Sequence, residues 1–257
     1  MGGRQILKQS MARINPNSLF LLMLIISASS CEIKKPTAQE VLDKAIARHG
    51  FDSVKDFQVG FDFRSDHFEA NLSDLTYELK RVSRNNNEVI EDVINGETFV
   101  HKVNNELVSL DSEKMWRTSS DTRSVIYFAL LPYGANDGAM NKQLMPSIKI
   151  KGEPYFKVEV TYGDNGGGKD FENVFVYWIH QKNFTVDYLA YSYFINGGGV
   201  RFREAINPRE INGIRFQDYV NYTITKDFPA HELDYAFQTG QLKEISRIEL
   251  NDVVVKK

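Results

Sequence analysis

The stretch Phe171–Tyr193 constrains the fold of this chain more than any other. It reads as two strands joined at Gln181–Phe184. In the first, Val174, Val176 and Trp178 alternate with Phe175, Tyr177 and Ile179, so both faces are apolar. The second sets Val186, Tyr188, Ala190 and Phe194 against Leu189, Tyr191, Tyr193 and Ile195. An antiparallel sheet with one wet face alternates apolar with polar residues. This hairpin does not, so both of its sides must be covered, by packed protein or by a ligand.

The chain has 257 residues, 42% of them apolar and 12% aromatic, enough for one substantial core without a second domain. Residues 1–30 hold Arg4, Lys8 and Arg13 and no acid. The rest, with 28 basic against 34 acidic residues, carries a net charge of −6. A nucleic-acid partner would normally leave a basic footprint, and none is present. A single cysteine excludes an intrachain disulfide framework and a cysteine-based zinc cluster.

That cysteine has a telling position. The basic residues precede an apolar run, Leu19–Ile26, which the small residues Ser27-Ala28-Ser29-Ser30 follow, the order of an export signal. Eight apolar residues are too few to span a bilayer, which takes about 20. Ala28-Ser29-Ser30-Cys31 resembles a bacterial lipoprotein box, with Ala28 where Leu is usual. The expected organisation is a signal peptide over 1–30, acylation at Cys31, a tether over 31–36 and one domain over 37–257. Met11 is an alternative start, since Met11–Ile26 still holds a complete signal.

Thr37 and Glu40 have capping-box spacing, and Val41, Leu42, Ala45 and Ile46 form an apolar face, which predicts a helix over Ala38–His49 ended by Gly50. Phe57–Arg64 alternates as a half-buried strand, and further strands are expected at Glu69–Leu72, Thr76–Val82, Val89–Ile94, Thr98–Val103 and Glu106–Leu110. Asn85-Asn86-Asn87 and Asn95-Gly96 suit hairpin turns. One or two helices interrupt this meander at Ser112–Asn141, where Ser124–Leu131 has helical spacing before Pro132-Tyr133-Gly134. Strands resume at Ser147–Lys151 and Tyr155–Tyr162, and continue after the central hairpin at Val200–Ile206 and Ile214–Ile224. In Ile214–Ile224 the residues Ile214, Phe216, Val220, Tyr222 and Ile224 face inward and Arg215, Gln217, Asn221 and Thr223 outward. A short helix at Glu232–Phe237 and a last strand at Ile245–Val255 complete the chain.

The fold class expected is α+β, mostly β: ten or eleven strands in a strongly curved antiparallel sheet, a half-open barrel. Its N-terminal helix and central insertion would cover the concave side, and a helix placed there would satisfy both faces of the hairpin. The order of lipoprotein box, capped helix and interrupted meander is similar to the lipoprotein-sorting carrier and receptor (LolA/LolB-like) superfamily of the bacterial envelope. More closely, Ser124–Gly134, Gly166–Ile179 and Asp187–Arg209 resemble an uncharacterised family of Bacteroidetes lipoproteins. The superfamily resemblance implies a hydrophobic cavity for acyl chains lidded by helices; the closer one implies no activity, and a fold does not fix a function.

No nucleophile elbow, phosphate-binding loop, dinucleotide fingerprint or zinc helix is present. The glycine triplets at 166–168 and 197–199 suit turns or bulges, and Asp164-Asn165 with Asp170 lacks the ligand spacing of a calcium loop. No cofactor or metal is expected. The candidate ligand-binding residues are Trp178, Tyr177, Tyr188, Tyr191, Tyr193 and Phe128, apolar bodies with polar tips among them, and Arg201 and Arg203, either of which could pair with a carboxylate or phosphate headgroup. The leading functional expectation is a non-catalytic, lipid-anchored envelope protein, facing the periplasm from the outer membrane, that binds a lipid or the acyl chains of a lipoprotein. A hydrolase using His67 with Asp66 or Glu69, and a partner-binding lipoprotein with a filled interior, are the alternatives.

Overall fold

The computed structural model describes residues 35–52, 56–73, 77–162, 174–194, 197–225 and 227–256. The chain divides into two units, Met1–Lys35 and Pro36–Lys257, and the architecture below is that of the second. The signal segment, Cys31, the first glycine triplet and Asp164–Asp170 lie outside the described residues. No described helix is long and apolar enough to cross a membrane.

Helix α1 (Ala38–Arg48) begins as its sequence requires: Glu40 N–H donates to Thr37 Oγ1 (3.2 Å), and Glu40 Oε2 accepts from Thr37 N–H (2.7 Å). It ends at Gly50, whose φ is +85° and where a Cβ would stand 1.9 Å from Gly213 O. Only glycine permits that approach, so the end of α1 lies directly on the turn at Asn212-Gly213.

Seven strands follow in a first sheet: β1 (Phe57–Phe63), β2 (Asp66–Leu72), β3 (Tyr77–Asn85), β4 (Glu88–Asn95), β5 (Thr98–Val103), β6 (Glu106–Leu107) and, from the chain's end, β14 (Asn251–Lys256). The order is β14-β1-β2-β3-β4-β5-β6. The second sheet holds β7 (Met140–Ile150), β8 (Glu153–Tyr162), β9 (Val174–His180), β10 (Val186–Tyr193), β11 (Gly199–Ile211), β12 (Ile214–Thr223) and β13 (Lys243–Ile248), in the order β13-β12-β11-β10-β9-β8-β7. Every ladder is antiparallel. The curved sheets do not close: β6 pairs only with β5 and β7 only with β8. The result is a half-barrel, as expected, with more strands than the ten or eleven read from the sequence.

One expected strand is two. Ile245–Val255 breaks at Glu249-Leu250, so that β13 joins the second sheet and β14 the first. The seam is polar: Leu250 N–H donates to Asp218 Oδ1 (3.0 Å), and Arg209 donates to Asp218 Oδ1 (3.0 Å) and Leu250 O (2.5 Å). The helical insertion is one helix, α2 (Ser112–Ala129), with Asp111 Oδ1 accepting from Lys114 N–H at its start. The strand after it begins at Met140, inside the span read as helical.

Both helices lie on the inner side. From α1, Val41, Leu42 and Ala45 pack against Val158, Tyr177, Ile179 and Leu189 of the second sheet. From α2, Ile126 and the following Leu130 join Phe61, Phe68 and Leu79 of the first. The outer face of the hairpin has its own cover, a 3-10 turn (Ala230–Glu232) leading into α3 (Leu233–Gln238). Here Leu233 and Phe237 pack on Val176, Trp178, Tyr188 and Phe202. The helix is expected from the sequence but its role as a cover is not, because six residues carry too little periodicity to show which face they bury. A bulge between Val186 and Tyr188 also corrects the face assignment: Val186 packs inward with Leu189, away from Tyr188.

Candidate functional site

Where the two sheets meet beneath α2, a partly open cavity of about 80 Å³ remains. Phe63 of β1, Val125 and Phe128 of α2, and Ile248 and Leu250 at the seam give it apolar walls. One charged side chain enters it, Arg203 of β11, which is 7% exposed. Its Nη2 donates to the Tyr191 hydroxyl (3.1 Å), and its Cζ stands 3.9 Å from the Phe128 ring centre, 5.2 Å from Tyr191 and 5.9 Å from Tyr219. The rings cover the faces of the guanidinium, a cation–π arrangement. Its in-plane donors Nε and Nη1 have no partner among the described residues. Gln217, also on the cavity and 4% exposed, donates from Nε2 to Val186 O and the Tyr219 hydroxyl, both at 2.8 Å. Its acceptor Oε1 is likewise without a partner among the described residues.

Strand register decides which of the candidate residues reach this place. Leu189, Tyr191 and Tyr193 pair with Arg203, Arg201 and Gly199, so these side chains share the inner face. Tyr191 and Phe128, 4.8 Å apart between ring centres, stand beside Arg203, with Phe128 on the cavity wall. Tyr177 is on the same face but deep in the core, its hydroxyl 3.2 Å from that of Tyr127; burial above all pushes its ionisation well above the tyrosine range. Arg201 donates from Nη1 to Val200 O (2.9 Å) and Thr223 Oγ1 (3.0 Å), with its guanidinium 4.9 Å from the Tyr193 ring. Tyr193 leans over Gly199, where a Cβ would stand 2.7 Å from its hydroxyl oxygen.

Trp178 and Tyr188 point the other way, under α3, and do not line the cavity. The wholly buried Trp178 donates from Nε1 to Asp234 Oδ2 (3.0 Å), which also accepts from Lys157 Nζ (2.9 Å). Tyr188 stacks on Phe202, with Tyr155 edge-on and Phe237 tilted against it.

Of the two carboxylates that the hydrolase reading offers His67, the structure brings Glu69 to it and not Asp66. Adjacent residues of β2 face opposite ways. Asp66 lies 4.0 Å from Arg81, whose strand partner is the wholly buried Asp92, while His67 and Glu69 face the outside. The carboxylate at His67 Nδ1 is Asp62 (2.5 Å), with Glu69 3.4 Å from Nε2. The outer groove they line contains no serine, threonine or cysteine among its described residues.

The sequence matches a family model described as a family of unknown function (DUF6503) over residues 17–250. The chain belongs to that family. No curated protein matches it. Among solved structures this DUF6503 member is similar to a LolA superfamily protein from Nitrosomonas europaea, at 14% identity and a TM-score of 0.50, over 87% of this chain and 95% of that one. It also matches the Mycobacterium tuberculosis lipoprotein LppX (14% identity, TM-score 0.28, 62% and 89% of the chains) and a DUF1329 family protein from Desulfovibrio piger (8%, 0.39, 86% and 93%). The DUF6503 chain thus has the LolA-like fold that its sequence resembles.

Nothing in the sequence singles out Gln217, Tyr219, Phe63 and the seam residues as site residues. Simple alternation puts Gln217 and Asn221 outward, yet both are buried. The only sequence signal was their setting: two amides inside a strand otherwise rich in aromatic and branched residues.

Proposed function

We propose that this is an exported, lipid-anchored protein of the bacterial envelope that binds an amphiphile between its two sheets, under α2, without covalent catalysis. The observation that carries this reading is an apolar cavity entered by a single buried, under-paired cation. A pocket serving only as packing would have no use for such a group, whose desolvation costs several kcal/mol unless a partner arrives. The carrier resemblance implies the same kind of ligand, a lipid or the acyl chains of another lipoprotein. With a signal over 1–30 removed and Cys31 acylated, residues 31–36 would hold the domain within about 20 Å of the bilayer, facing the periplasm from the outer membrane.

At about 80 Å³ the cavity has room for roughly half a dozen waters, not for an acyl chain. Loading therefore requires α2 to lift. Its construction suits that role: of its 18 residues only Thr122 and Ile126 are fully buried, and Met115 and Trp116 near its start are 41% and 37% exposed. Delipidated protein should take up a fluorescent fatty acid, and Phe128→Glu, on the cavity wall, should weaken that uptake at least tenfold. Trp178→Glu would disturb the outer core instead. Absence of uptake across several lipid classes would sink the reading. It would favour the second one, a partner-binding lipoprotein, which the small residual cavity supports. For the anchor, Cys31→Ala should shift the protein out of the membrane fraction.

A further inference from the structure

We infer that the group bound at Arg203 is the free carboxylate of a single-chain amphiphile, held head-inward at the seam of the two sheets. This rests on the amphiphile-binding reading and narrows it.

Three observations select the headgroup. The first is the shape of the unmet demand. Phe128, Tyr191 and Tyr219 surround the guanidinium, while Nε and Nη1, whose hydrogens lie in its plane, are left open. Rings satisfy the charge but not the donors; Nε and Nη1 lie on different edges, each shared with Nη2, and a carboxylate that meets one of those edges supplies an acceptor together with the counter-charge. The second is charge. Arg203 is the only charged residue on the cavity among the described residues, so one negative charge balances it and a phosphate monoester would leave a second uncompensated in an apolar site. The third is size. About 80 Å³ admits a terminal carboxylate and its first methylenes, whereas a phosphodiester carries a substituent on each side of its charge.

Phe63, Val125 and Leu250 then meet the start of the chain, and its remainder runs out beneath α2. Gln217 Oε1 is an open acceptor on the same cavity, so it offers a place to a hydroxyl or amide hydrogen near the carboxylate. A lipoprotein's acyl chains end in amide and ester linkages and have no free carboxylate. The inference thus favours a fatty-acid-like ligand over lipoprotein cargo.

The test titrates the purified, delipidated protein by calorimetry with dodecanoate, dodecanol, dodecyl phosphate and a triacylated lipopeptide. Dodecanoate should bind at least about tenfold tighter than dodecanol and tighter than the other two. In Arg203→Met that preference should shrink to within about threefold, with dodecanol bound as by the wild type. The thermal midpoint of unliganded Arg203→Met should equal or exceed the wild type's, because the variant removes a buried, under-paired charge; this also establishes that it folds. Dodecanol, dodecyl phosphate or the lipopeptide binding as tightly as dodecanoate overturns the carboxylate assignment and leaves the amphiphile reading standing. An unchanged preference in Arg203→Met overturns the role of the arginine. Failure of all four probes removes the broader reading with it.

Discussion

His49, the residue after α1, is wholly buried, with Nε2 accepting from Val186 N–H (3.2 Å). Burial first, and then the charges of Arg215 and Arg48, push its pKa down from 6.5 to about 3. The folded protein therefore holds a neutral imidazole across a range where the unfolded chain takes up a proton. Its contribution to stability is whole above pH 6.5 and lost progressively as pH falls towards 3, at up to about 1.4 kcal/mol per pH unit. Between pH 7 and 5 this one group should cost about 2 kcal/mol. Urea denaturation of His49→Gln should show that part of the loss abolished; an equal pH dependence in both proteins would refute the assignment. Nothing in the sequence distinguished His49 from an exposed helix-end histidine. Its burial follows from the approach of Gly50 to Gly213, a contact between positions far apart in the chain.

At the scale of elements, α3 is held by the Asp234 carboxylate that it inserts into the outer core beside Leu233 and Phe237. Asp234 is 2% exposed and accepts from both Lys157 Nζ and Trp178 Nε1. Asp234→Ala leaves a buried ammonium and an indole N–H without an acceptor, so it should cost about 3–5 kcal/mol. Chemical denaturation measures that loss. A cost below about 1 kcal/mol would mean that water replaces the carboxylate readily and that α3 is only loosely docked. Element types were largely legible beforehand. The capping box announced α1, turn residues separated the strands, and the two-sided apolar pattern of β9 announced a cover on each face. Less legible was a change of phase within a strand. The bulge at Val186/Tyr188 defeats a strict two-residue period, and the buried amides of β12 keep that period on a face that the rest of the molecule covers.

For the molecule as a whole, the seam is the feature that makes a cavity possible. Asp218 binds Arg209, Leu250 N–H and Asn207 Nδ2 (3.2 Å), fixing the place where the chain leaves one sheet for the other. Asp218→Ala should destabilise by about 2–4 kcal/mol and speed hydrogen exchange at Ile248–Asn251 more than in α1. Uniformly faster exchange throughout would instead mark a global loss with no special role for the seam.

The sequence by itself determined that this chain forms strands and two covering helices, that the central hairpin is buried on both sides, and that the single cysteine stands where a lipoprotein box would put it. Those properties are local: caps, turns and periodicity act over a few residues. Only the tertiary structure decided that Ile245–Val255 divides between two sheets, that Trp178 and Arg203 face opposite sides of one sheet, and that a cation is left under-paired beneath α2. Register and closure arise between strands distant in the chain, so the hairpin's pattern could demand two covers without revealing what each would be.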